Sequence, residues 1–457
     1  MPTITRTLLL LLLLSGRLLS AVDAHAQSGQ VTPVQLGQPV LVPTAQSAAQ
    51  SGQPTPAQPG QLTLEECYTL ARQNYPLIRQ RELIIRTREY SVANAAKGYL
   101  PQVSFSGQAT YQSETIAFPF KIPGVQLPEY SKDQYKVQAE VDQTIYDAGT
   151  IKYQQELKKA DEGIQLQSLE VDLYALKDRV NQLFFGILLI DQQLQQNELQ
   201  RSDLRNGVDK IQASVSNGTA FRSSLDELRA ELLRTDQDRT ELLASRSAYR
   251  KMLSLFIHQP IDATTVLVTP PALSPASEIK RPELALFDYQ KKAFDIQQQQ
   301  LRTGYLPKIS AFAQGAYGRP TLNFISNDFG FWALGGIRFS WSLAGLYTNK
   351  NDKRILSLQR NNLDIQKDNF LFNTNLTLTQ QNEEMTKYQS LIDQDQHIID
   401  LRASVKAASA AQLANGVITS HDYINQVNAE SQARQSLILH RIQLLQSQYN
   451  SQTTSGN

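Results

Sequence analysis

Apolar residues recur along one stretch of the chain at spacings that alternate between four and three. Leu169, Leu173, Leu176, Val180, Leu183, Ile187, Ile190 and Leu194 keep the phase. It lapses at Asn197 and Arg201 and returns at Leu204, Val208, Ile211 and Val215. A sustained heptad repeat is the pattern of helices packed as a coiled coil. It predicts a helix over 148–216, about 100 Å long at 1.5 Å per residue. Elsewhere the period drops to two. Val103, Phe105, Gly107, Ala109 and Tyr111 alternate with polar residues, as do Tyr135, Val137, Ala139 and Val141. In a later segment Ile337, Phe339 and Trp341 alternate with Arg338, Ser340 and Ser342, while Trp332 and Leu334 break the pattern and 309–317 alternates weakly. These are strands with one apolar and one polar face. Strands of about ten residues have the length to cross a bilayer at a tilt.

Proline placement and an internal repeat order these elements. No proline occurs in 129–259 or 321–457, and a proline inside a helix costs about 3 kcal/mol, so both stretches can hold long helices. Gly98-Tyr99-Leu100-Pro101 recurs as Gly304-Tyr305-Leu306-Pro307, and Pro76 maps onto Pro282. Asp147-Ala148-Gly149 corresponds to Leu343-Ala344-Gly345, and Asn217-Gly218 to Asn415-Gly416. Two copies of one unit are fused, 62–276 and 277–452, each reading helix, strand, loop, strand, long helix, tight turn, helix. Helices over 62–97 and 219–257, laid end to end, match the rod beside them. Residues 453–457 are expected to be disordered.

A soluble sheet fails on cover, because rods of that length cannot lie across ten-residue strands. Four strands cannot close a transmembrane barrel, and an open edge in lipid leaves backbone groups unpaired. The chain must therefore oligomerise, with eight strands in a dimer or twelve in a trimer.

The remaining sequence adjusts this picture. Arg6, the leucines from Leu8 to Leu14 and Ala24-His25-Ala26 read as a cleaved signal peptide over 1–26. Residues 27–61, rich in Gln, Pro, Ser and Gly, read as a flexible tail. The chain holds 44 Lys+Arg against 43 Asp+Glu, a balance that argues against nucleic acid as a partner. One cysteine, Cys67, excludes an intrachain disulfide and reads as a packed residue. His258, His397, His421 and His440 are scattered and read as surface histidines. No catalytic or cofactor motif is present.

In order and duplication, Leu62-Thr63-Leu64-Glu65-Glu66, Asn74-Tyr75-Pro76, both Gly-Tyr-Leu-Pro elements, Tyr146-Asp147-Ala148-Gly149 and both Asn-Gly turns resemble the outer-membrane efflux protein (TolC-like) family over about 62–450. The resemblance implies a mainly α fold with a transmembrane β part. Long antiparallel coiled-coil helices would form a periplasmic barrel, and four strands per protomer would build a 12-stranded trimeric outer-membrane barrel. It implies no enzyme and no cofactor, a homotrimer in outer-membrane lipid, and docking to a periplasmic adaptor and an inner-membrane pump of a tripartite efflux or type I secretion system. The chain would be a passive export duct. A membrane-anchored coiled-coil fibre or adhesin is the competing expectation.

Two sets of residues carry the function on this reading. Phe105, Tyr135, Val137, Phe339 and Trp341 would face lipid, with Gln138 facing water. Asn217, Gly218, Asn415 and Gly416 would turn the helices at the periplasmic tip, where the resemblance places Asp422 at a constriction. Asn425 stands where TolC has a second acid, and Ser224 where the first copy would carry its own, with Asp226 two residues beyond. Three Asp422 carboxylates held together would titrate above the usual 3.9 or so.

Overall fold

The chain divides into two units, 1–56 and 57–457. In the computed structural model the residues described are 60–115, 130–262, 264–275, 278–323 and 326–457. The signal peptide and nearly all of the tail lie outside them. Helix α1 (Leu64–Asn74) opens on a capping box, with the Thr63 hydroxyl accepting from the Glu66 amide and Glu66 accepting from the Thr63 amide. Pro76 then imposes a 3₁₀ turn, Pro76–Arg79, before α2 (Gln80–Ala96). The helix expected over 62–97 is thus two helices, because proline supplies no amide to continue the ladder.

Helices α3 (Thr150–Tyr174) and α4 (Leu176–Ser216) form the heptad rod. Only Ala175 falls out of the helix, and it keeps right-handed dihedrals. After the tip turn come α5 (Arg222–Ile257), α6 (Pro282–Gln300), the 71-residue α7 (Ala344–Ala414) and α8 (Ser420–Ser455). At 1.5 Å per residue α7 is about 105 Å long.

The helices pack in the order α2–α3–α6–α7 on the sheet side and α5–α4–α8–α7 on the tip side. Tyr75, just before Pro76, stacks on Phe256 near the end of α5 with ring centroids 6.2 Å apart, which joins the α1–α2 segment to α5 end on. The equivalent joint in the second half lies between α8 and α6. There the Lys280 amide donates to the Ser455 carbonyl at 2.6 Å, and Tyr174 donates to the Thr453 carbonyl at 3.0 Å. This corrects the expectation for residues 453–457. Helix α8 runs through Ser455 with Thr453 and Ser455 buried, Gly456 closes it at φ +91°, and the Asn457 side chain donates to the Glu278 carbonyl. The end of the chain fills the second joint, so its small polar residues are buried.

The main core lies around that joint level. Cys67, Val180, Phe184, Phe185, Ile187, Leu253 and Ile257 pack together with Leu62 of β1 (Gln61–Leu62) and Leu267 of β4 (Val266–Leu267), two short strands that pair in parallel. Most heptad positions are buried as expected, with Leu194, Val208 and Val215 half-buried, and the lapse has a purpose. Asn197 is buried and donates to the Thr235 carbonyl at 3.0 Å, and Arg201 pairs with Asp236 and Glu198. A polar layer inside a coiled coil fixes register at some cost in stability.

Strands β2 (Gln102–Tyr111), β3 (Asp133–Tyr146), β5 (Lys308–Arg319) and β6 (Gly330–Ser340) form one antiparallel sheet in the order β2-β3-β5-β6. Within it β2 and β6 each have an unpaired edge.

Candidate functional site

The strand register places most of the apolar residues of the four strands on one face, Phe312, Trp332 and Leu334 excepted. Phe105 opposes Ala139, Val137 lies between Gly107 and Tyr317, Tyr135 opposes Ala109, and Phe339 opposes Ile309. Phe105 is 79 % exposed and Val137 64 %. Trp341 lies one residue beyond β6, in the same phase, and its indole nitrogen donates to the Tyr305 carbonyl at 3.0 Å. The weak alternation of β5 has a simple cause, since its apolar face is built largely of Ala311, Ala313 and Gly315.

The opposite face carries Ser104, Ser106, Lys136, Glu140, Asp142 and Arg338, together with the two pattern-breakers Trp332 and Leu334. The Arg338 guanidinium reaches across β5 and holds Asp142 at 2.7 Å and Glu140 at 2.9 Å. Gln138 is buried on this face and donates to Glu140 at 3.2 Å. The expectation that its side chain faces water is therefore corrected: side chains lie across this face and cover it.

The repeated landmarks meet where the sheet joins the helices. A Cβ on Gly345 would lie 2.7 Å from the Gly304 carbonyl oxygen, so the second Gly-Tyr-Leu-Pro and Leu-Ala-Gly elements are backbone to backbone. In the first copy Ala148 and Gly149 take positive φ, and Asp147 accepts from the amides of Gly149 and Ile151. One glycine answers to a close approach and the other to a left-handed turn.

Both tips are built alike. Gly218 and Gly416 sit at φ +72° and +70°. The Thr219 amide donates to the Ser214 carbonyl and the Gly218 amide to Val215; Val417 to Gln412 and Gly416 to Leu413 repeat the pair. That double bond is the Schellman closure of a helix C-terminus. Asn217 and Asn415 are the last residues before these glycines, and the Asn415 side chain also donates to the Ala411 carbonyl.

Beyond the turns the copies differ. Thr419 and Asp422 form a capping box on α8, with the Thr419 hydroxyl 2.6 Å from the Asp422 carboxylate. The Thr419 hydroxyl and amide hold Asp422 below the usual carboxylate range. Within the chain the shift therefore runs opposite to the one expected of clustered carboxylates. Asp422 and Asn425 are exposed, three residues apart on α8. The first copy has no such cap: Phe221 occupies the position, 81 % exposed.

The tip is tied across the repeat. Glu227 of α5 accepts from Ser420 at 2.7 Å and lies 3.0 Å from His421. Higher up, Lys406 of α7 holds Asp203 of α4 at 2.7 Å and also Glu430 of α8, which Arg434 grips at 2.7 Å. Burial acts to lower the Lys406 pKa, but the two carboxylates outweigh it and raise it. Burial acts to raise Glu430, but Lys406 and Arg434 outweigh it and lower it. His440, read from the sequence as a surface residue, is partly buried, with Nδ1 2.6 Å from Asp395. Nothing in its sequence spacing marks the pair, which lies on two different helices.

Among the described residues no cluster of side chains could hold a metal ion, and no helix is long and apolar enough to cross a membrane. What the elements define is an open four-stranded sheet with one apolar face, set on a two-copy helical rod. This is the fold of TolC-like channels. It is similar to that of CusC, a protein that forms a transmembrane channel, at 13% identity, with 86% of this chain and 91% of that one covered and a TM-score of 0.59. The outer membrane channel CmeC of Campylobacter jejuni is similar at 13% identity, 86% and 85% coverage and a TM-score of 0.58. The outer membrane channel MtrE of Neisseria gonorrhoeae is similar at 12% identity, 86% and 89% coverage and a TM-score of 0.57. By sequence, residues 67–255 match the outer membrane efflux protein family, and the family resemblance drawn from the motifs is borne out. No curated protein matches the chain by sequence.

Proposed function

We propose that this chain is the outer-membrane channel of a tripartite efflux or type I secretion system, a passive duct from a periplasmic adaptor and an inner-membrane pump to the exterior. The observation that carries the reading is a sheet with one largely apolar face and two unpaired edges, β2 and β6. In lipid such edges are costly, and copies of the same sheet joined β6 to β2 remove them. Three copies give the twelve strands that the family resemblance implies. Phe105, Tyr135, Val137, Phe339 and Trp341 then face lipid, and the tips bearing Asp422 and Asn425 meet at the periplasmic end. The family match over 67–255 supports the efflux assignment and the outer-membrane location. The test is conductance of the purified protein in planar bilayers, where stepwise ion-conducting openings are expected. Absence of conductance under all voltages and salts would instead favour the coiled-coil fibre.

A further inference from the structure

The polar face of the sheet has a hollow of about 360 Å³ at the hairpin end, lined by Gln108, Thr110, Gln134, Lys136, Arg319 and Trp332 among others. Its origin lies in the register. Gln108, Lys136, Gly318 and Gly330 stand in one row across the four strands, so β5 and β6 contribute no side chain there. At Gly318 none could be added, since a Cβ would fall 2.1 Å from the Tyr135 carbonyl oxygen. The adjoining row supplies Trp332, whose indole lies under the Lys136 ammonium at 5.6 Å from the ring centre. The indole N–H is buried without a hydrogen-bond partner among the described residues, so packing rather than bonding holds the ring.

Charge gives the hollow its preference. Arg319 is neutralised by Asp133, whereas no carboxylate pairs with Lys136 among the described residues. Among the described residues the site is left with one uncompensated cation, an aromatic wall and the amides of Gln108 and Gln134. Volumes of this size accept small organic molecules, and a cation beside an aromatic ring suits a flat anion.

We propose that this hollow is a contact site for aromatic carboxylates or similar flat organic anions on the luminal side of the exit duct. The assignment rests on the membrane reading above, which makes the polar face luminal. The sequence has two tryptophans, so Trp341→Phe leaves Trp332 as the only indole reporter. With this full-length variant in vesicles, 4-nitrobenzoate should quench Trp332 saturably. The uncharged 4-nitrobenzamide and inorganic phosphate should bind at least tenfold more weakly. Adding Lys136→Gln should weaken nitrobenzoate at least tenfold, and Lys136→Arg should keep it within about threefold. Linear, unsaturable quenching of equal slope by the acid and the amide would overturn the site while leaving the luminal assignment intact. Quenching of Trp332 by brominated acyl chains would set the polar face against lipid, overturning the luminal assignment and the proposal with it.

Discussion

Asp422 shows how one side chain can serve two masters. Its carboxylate closes the capping box of α8 through Thr419, and the family resemblance gives the same residue a place at the aperture. The two roles separate by substitution. Thr419→Ala removes an N-cap, a loss of about 1 kcal/mol in typical helices, but leaves the charge. Asp422→Ala removes the charge and the carboxylate half of the box, while the Thr419 hydroxyl still accepts from the amide of residue 422. If charge sets conductance, only Asp422→Ala should raise single-channel conductance and reduce block by divalent cations. Equal effects from both variants would assign the change to helix fraying. Asp226→Ala, outside the family position, should alter neither. The Lys406–Glu430–Asp203 cluster makes a pH prediction. Glu430 is held below its ordinary 4.5, so its contribution is present above that pH and is lost as pH falls. Lys406 is held above its ordinary 10.5, so its contribution is present below that pH and is lost as pH rises through the raised value. Lys406→Gln should cost about 1.5–3 kcal/mol at neutral pH. It should also move the acid limb of a thermal-melting pH profile upward, since Glu430 then keeps only Arg434. The contacts of Lys406 were not legible in the sequence, because they join residues of different helices, and periodicity reports which face is buried, not which charge it meets.

Elements were far more legible, because their signals are local. The two-residue period located β2 and β3, the heptads located α4, and the duplicated glycines marked both the tips and the sheet junctions. The misreadings also have local causes. Pro76 splits 62–97, and a terminus of Thr, Ser, Gly and Asn looked unstructured although its small side chains fill a joint beside Lys280 and Arg281. The sheet now gives a sharper insertion test. Val137→Arg puts a charge on the apolar face and should hamper membrane assembly by about 2–4 kcal/mol. Ser106→Arg, exposed on the other face, should be tolerated. Gln138, on the same face as Ser106, is not a suitable control because it is buried. Folding yield in vesicles, read by protease protection, checks the pair. Equal behaviour of Val137→Arg and Ser106→Arg would mean that the assignment of the two faces is wrong, and the reverse order would mean that the faces are exchanged.

At the scale of the whole molecule, the free margins run from end to end. On one side stand β2, α2 and α5; on the other stand β6 and α7. The second margin leaves Leu358, Ile365 and Phe372 exposed at heptad spacing along α7. Joining unlike margins generates a ring rather than a face-to-face pair. Native mass spectrometry in detergent should therefore show three chains and no stable dimer. Leu358→Glu with Ile365→Glu should shift the population toward monomer without removing the helical signal.

Helix α7 alone runs unbroken from the sheet to the tip, while each neighbour is interrupted once along the same length. This sets where the gene can tolerate changes in length. One extra residue in a straight helix turns everything beyond it by about 100°, since a full turn takes 3.6 residues. Near residue 380 such an insertion would turn the Lys406 segment away from Asp203 and Glu430, with no downstream break to absorb the error. The same insertion between α5 and α6, at 259–262, falls where no helix carries a phase. Among related sequences, length variation should gather at the joints and spare α7, and single-residue insertion scanning of expression level would read out the same map.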